Sequence, residues 1–147
     1  MTAPSLVIMI VTISISSLFC ISLLRYSYSQ TMTKNNEQIW TDQDHDLKIA
    51  FVYVPKIPIV DKPTELKFAV QEISTGEYLK DLEANVLVTD NISGQFRNFK
   101  FNNVSAPDGQ FSVRYLFPDT GLFEIIVRIS SPEVQALATF EVIVPKL

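Results

Sequence analysis

Side chains that commonly carry chemistry are scarce in this sequence. Its 147 residues include one His and one Cys. His45 sits in an acidic run, Asp42-Gln43-Asp44-His45-Asp46, and Cys20 in an apolar run. A Ser-His-Asp triad would have to recruit that histidine. A copper site of the cupredoxin type needs a second His. A lone Cys excludes an intramolecular disulfide and every Cys-cluster metal site, and a lone His excludes multi-His centres.

The acidic run has D-x-D-x-D spacing, which could begin an oxygen-ligand calcium loop. An EF-hand loop starting at Asp42 would need Gly at its sixth position and Glu at its twelfth, where this chain has Leu47 and Tyr53. We read the run as a solvated acidic segment. His45, between Asp44 and Asp46, could serve as a pH-sensitive group; the plainer reading is an exposed histidine. Glycoside chemistry needs two converging carboxyl groups. Glu72, Glu77, Glu83 and Asp90 fall near turns or on polar faces, and their spacing predicts no convergence. The 4 Gly fall at turns and make no phosphate cradle. A net charge of −4 argues against nucleic acid as a partner. The expectation is a non-catalytic protein with no cofactor and no metal.

The 47% hydrophobic content is unevenly spread. Residues 1–24 carry no charged side chain, and Ser5 to Leu24 is a run of 20 residues rich in Ile, Leu and Val. As a helix it would span about 30 Å, the thickness of a bilayer core. It reads as a transmembrane helix or signal-anchor. A cleaved signal peptide is the alternative, with Ser27-Tyr28-Ser29 offering a small-x-small site and a secreted product. Phe19 stands where a lipobox before Cys20 would need a small residue. Residues 25–46 are polar and read as a tether. Tyr26 and Tyr28 suit an interfacial position. Trp40 could touch the membrane, a partner or the base of the domain, and we favour the last. Arg25 alone would place the following chain in the cytoplasm. The sequons Asn91-Ile92-Ser93 and Asn103-Val104-Ser105 offer glycosylation at Asn91 and Asn103, and with the fold type they favour the outside.

From Leu47 the apolar period becomes two. Leu47, Ile49, Phe51 and Tyr53 alternate with less apolar neighbours. Leu66, Phe68 and Val70 do the same, as do Ala84, Val86 and Val88. The pattern continues through Phe111 to Phe117, Phe123 to Ile129 and Ala138 to Val144. These are half-buried strands. Phe96 and Phe99 have opposite parity, which predicts a bulge between them. Turns are expected at Ser74-Thr75-Gly76, Asn91 to Gly94, Pro107-Asp108-Gly109 and Pro118 to Gly121. About seven strands over 47–147 without an intervening helix predict an all-β, antiparallel β-sandwich.

Asp119-Thr120-Gly121-Leu122-Phe123, followed by alternating Ile125, Val127 and Ile129, resembles the D-x-G-x-Y corner of immunoglobulin-like domains, with Phe123 in place of Tyr. Together with Gly76, Leu79, Ala84, Val86 and Asp108-Gly109, the stretch is similar to small extracytoplasmic YtkA-like domains. The resemblance implies an immunoglobulin-like sandwich that is secreted or membrane-anchored, and it implies no catalytic activity. The Cys-Trp-Cys core of antibody domains is absent from the sequence.

Leu87, Leu116, Leu122, Ile126 and Ile143 take outward parity on their strands. Contiguous apolar residues rimmed by charge can mark a docking surface, while scattered surface aliphatics are normal. The resulting expectation is an extracytoplasmic accessory module, held in the membrane by residues 5–24, that docks on a membrane or cell-envelope protein. The alternative is a structural subunit of a larger membrane enzyme, its span packed through Ser14, Ser16 and Ser17.

Overall fold

The computed structural model describes residues 31–32, 36–92 and 95–147. The stretch 1–24, read as a membrane span, lies outside them. All regular structure among the described residues is strand. The strands are β1 (Thr31–Met32), β2 (Gln38–Asp42), β3 (Leu47–Val54), β4 (Pro63–Glu72), β5 (Leu82–Ile92), β6 (Gln95–Ala106), β7 (Gln110–Leu116), β8 (Gly121–Ser130) and β9 (Gln135–Val144). They form a five-stranded sheet, β1-β2-β3-β4-β7, and a four-stranded sheet, β6-β5-β8-β9. Every pairing is antiparallel. The two inner faces enclose one core, so the fold is a β-sandwich.

The period-two pattern is what buries. Leu47, Ile49 and Phe51 of β3 are buried, as are Leu66, Phe68 and Val70 of β4 and Phe123, Ile125, Val127 and Ile129 of β8. Register aligns Phe51, Phe68 and Phe111 across β3, β4 and β7. Their rings stack at centroid separations of 5.0 and 4.8 Å, and Phe140 of the other sheet lies 5.0 Å from Phe51. Each such aromatic pair adds about 1 kcal/mol beyond its area burial.

The tether predicted over 25–46 loses its C-terminal part to the sandwich. Gln38–Asp42 is a strand paired with β3, and Trp40 is a core residue at 5% exposure. Gln38 is buried too, because its side chain acts as a piece of backbone. Its amide nitrogen donates to the Glu141 carbonyl and its amide oxygen accepts from the Glu141 N–H, 3.0 Å away. That bidentate contact closes the β2–β9 side of the sandwich.

The bulge also lies elsewhere than predicted. Pairing steps from Ala84↔Val104 to Val86↔Phe101, so Asn102 and Asn103 together oppose Asn85. Asn103 takes a left-handed φ of 54°, and its N–H donates to the Asn85 side-chain oxygen at 3.0 Å. Each left-handed non-glycine among the described residues is Asn or Asp: Asn36, Asp46, Asp61, Asp81 and Asn103. Those residue types bear that conformation at the lowest cost after Gly. Two turn signals mark links whose partners lie in different sheets. Pro107-Asp108-Gly109, whose turn signal suits a hairpin, instead carries the chain from β6 to the other sheet, and Pro118 to Gly121 joins β7 to β8 across the sandwich. The return at Ser74-Thr75-Gly76 makes the single bridge Gln71↔Tyr78 before the chain crosses.

Candidate functional site

The outward residues singled out from sequence do not form one face. Leu87 and Ile126 are direct cross-strand partners on β5 and β8. Leu122 and Ile143 are partners on β8 and β9. Between these pairs runs a polar row, Thr89, Glu124 and Glu141. Leu116 belongs to the other sheet, opposite Pro63. The predicted docking face therefore divides into three places. Strand parity reports which face a residue is on, not which sheet lies beside it.

One of these places is a shallow groove. Leu87, Ile126 and Leu137 form its apolar floor, and Lys100, Arg128 and Asn102 border it, around a volume of ≈ 230 Å³. Leu137 is 58% exposed and sits opposite Arg128 in the register. An apolar floor with a cationic rim suits a partner surface carrying aliphatic groups and carboxylates.

The acidic run is a hairpin turn between β2 and β3. Asp42 accepts from the N–H groups of Asp44 (3.0 Å) and His45 (3.3 Å), and its other oxygen lies 2.7 Å from His45 Nδ1. Partial burial pushes the Asp42 carboxyl up, but the His45 side chain and these N–H donors outweigh it and hold the group below the ordinary aspartate value. Asp46 turns away and accepts from the Ser74 N–H at 2.9 Å and from the Ser74 hydroxyl. Two of the three carboxylates of the D-x-D-x-D run, those of Asp42 and Asp46, are thus spent on separate contacts. No trio of His, Cys, Asp or Glu side chains among the described residues is placed to hold a metal.

Asp90 corrects the sequence reading most sharply. It lies beside the β5–β6 return, as a residue near a turn should, yet it faces inward and is buried at 5% exposure. It continues the inward parity of Ala84, Val86 and Val88, which was the signal available in sequence. Arg97, its register partner on β6, holds it through two contacts, 2.9 Å from Nη2 and 3.3 Å from Nε. Phe99, Phe101 and Tyr115 pack as an aromatic cluster where β6 and β7 meet. Burial, and then the Asp90 charge, push the Tyr115 phenol above its ordinary value. A buried carboxylate with a bidentate Arg is a structural latch: Asp90 is buried while Arg97 reaches in from the surface, so removing Arg97 would strand the Asp90 charge.

Of the two sequons, Asn103 is exposed on the β6 bulge and Ser105 is exposed two residues on. Asn91 pairs through its backbone with Phe96, and Ser93 lies outside the described residues. Compared with models of known protein families and with curated proteins, the chain matches none.

Proposed function

We propose that this chain is a non-catalytic accessory module, an immunoglobulin-like sandwich anchored by residues 5–24 outside the cytoplasm, that docks on a membrane or cell-envelope protein. The strand order supports the immunoglobulin-like assignment. A sheet containing β3-β4-β7 faces one ordered β6-β5-β8-β9, with crossings after β4, β6 and β7. The observation that carries the docking role is the Leu87–Ile126–Leu137 groove with Lys100 and Arg128 at its border. It lies at the middle of a sheet, on rigid elements, where a binding surface keeps its shape.

The test is extraction of the full chain from its native membrane in mild detergent. The parent chain is expected in a complex larger than the monomer. Ile126→Glu places a charge on the groove floor and should weaken that complex about tenfold or more, while thermal melting stays at the parent value. A parent chain that runs only as free monomer removes the reading.

A further inference from the structure

The exposed large apolar side chains of the sandwich are not spread evenly. Val54, Ile57 and Ile59 lie at or after the end of β3, 40–59% exposed. Leu116 ends β7, Leu122 begins β8 and Ile143 nears the end of β9, 50–60% exposed. Register and chain direction place all six at one end of the sandwich, around the links 55–62 and 117–120. Lys56, Lys62 and Lys146 stand among them, with Asp61 and Asp119. The opposite end carries Asp42, Asp44, Asp46, Glu72, Glu77 and Asp81, joined by Asp108 and Glu133, against Lys80, His45 and one exposed aromatic, Tyr78.

We propose that the apolar end rests in the headgroup region of a lipid bilayer. This rests on the reading of residues 5–24 as an anchor. Only six residues, 25–30, separate the apolar stretch from Thr31. Fully extended they reach about 20 Å. Thr31 stands beside Ile39, which pairs with Ala50. From there either end of β3 is about 10–13 Å away at strand rise. The tether therefore holds the sandwich against the bilayer, and leaves surface chemistry to choose the end. The acidic end would be repelled by anionic headgroups. The other offers aliphatic side chains at acyl-boundary depth with lysines at phosphate level, the pairing that interfacial segments use. That orientation leaves the Leu87–Ile126–Leu137 groove on the side of the domain, open to a neighbouring protein.

The experiment reconstitutes the full chain, with Cys20→Ser, into vesicles of phosphatidylcholine and phosphatidylglycerol. An environment-sensitive fluorophore is attached at Ile57→Cys, Leu122→Cys or Thr75→Cys, the last at the acidic end. Flotation with the vesicles tests the anchor separately. The expected result is a blue shift and quenching by nitroxide-headgroup lipid at 57 and 122, with neither at 75. A chain that floats but leaves 57 and 122 as open to aqueous iodide as 75 overturns the lipid contact and spares the anchor. Shielding of those positions in native membranes but not in vesicles assigns this end to a protein, and also overturns it. A chain that does not float overturns both.

Discussion

The two ends of the sandwich put their side chains to different uses. At the acidic end side chains are added to a main-chain web in which Asp46 N–H donates to Gln43, Gly76 N–H to Glu72 and Ser131 N–H to Val134. Asp42 caps the β2–β3 turn, and Asp46 reaches across to Ser74. Thr75 donates to Glu72, and the Ser131 hydroxyl accepts from the N–H groups of Glu133 and Val134. At the apolar end the 117–120 link has one such cap, Asp119 accepting from the Thr120 N–H at 2.8 Å, and the 55–62 link is held by main-chain bonds. Asp61 N–H donates to the Phe117 carbonyl at 2.9 Å, and Lys62 N–H to the Ile59 carbonyl at 3.1 Å. Once backbone closes the loop, the side chains of Ile57 and Ile59 are left facing outward. An end whose side chains are consumed by its own turns is occupied with folding. One whose apolar side chains remain exposed is available for contact with something else.

The largest effect that would sharpen this contrast is expected at Gly109. Its φ is +76°, and a Cβ built there would stand 2.4 Å from the Leu79 carbonyl oxygen. Its N–H donates to Ala106 and its carbonyl accepts from Val70. Neither backbone partner can give way without breaking the crossing between the sheets. Gly109→Ala should cost about 3 kcal/mol or more, combining left-handed strain with a backbone clash. Denaturant unfolding measures it, and a variant as stable as the parent would refute the close approach.

A smaller and more direct comparison sets Asp46 against Ile57. Asp46→Ala removes two hydrogen bonds to Ser74 and leaves a left-handed φ of 53° to a residue poorly suited to it. The expected cost is about 1–2 kcal/mol. Ile57→Ser, at 59% exposure, should stay within about 0.5 kcal/mol. If Ile57→Ser destabilised the domain as much as Asp46→Ala, the apolar end would be part of the fold and the contrast would fail.

These regions were unequally legible in sequence, for physical reasons. The alternation of Leu47, Ile49 and Phe51, or of Phe123 to Ile129, is set by strand geometry and survives without knowledge of neighbours. Sheet membership is not local, and so Leu116 was grouped with residues of the other sheet. Strand β2 escaped because its two buried positions are Gln38 and Trp40, and a buried amide satisfied by another strand's backbone leaves no apolar period. Asp90 has inward parity, but its residue type points to a polar face. The Arg on the returning strand that makes its burial tolerable, Arg97, was the missing half of the signal.

The weakest expected effect is titration. Asp42, at the acidic end, has its folded pKa lowered below 3.8: burial opposes this, and the His45 contact and backbone donors prevail. Glu65 on β4 is lowered below 4.5 by the Ser112 hydroxyl, then by Lys67. A carboxyl with a depressed folded pKa contributes stability above its unfolded value and loses it as pH falls through the folded one. That loss belongs below pH 4.5 and should be slight, since both groups are solvated. Tyr115, toward the apolar end, has its folded pKa raised above 10.0 by burial and then by Asp90. Its contribution is complete below pH 10.0 and fades as pH rises through the folded pKa. Melting temperature followed across pH should therefore fall at both extremes. Asp42→Asn should flatten only the acid limb and Tyr115→Phe only the alkaline one. An alkaline limb unchanged in Tyr115→Phe would mean that the phenol is not held among Phe99, Phe101 and Asp90, and the interior beneath the apolar end would be wetter than its packing implies.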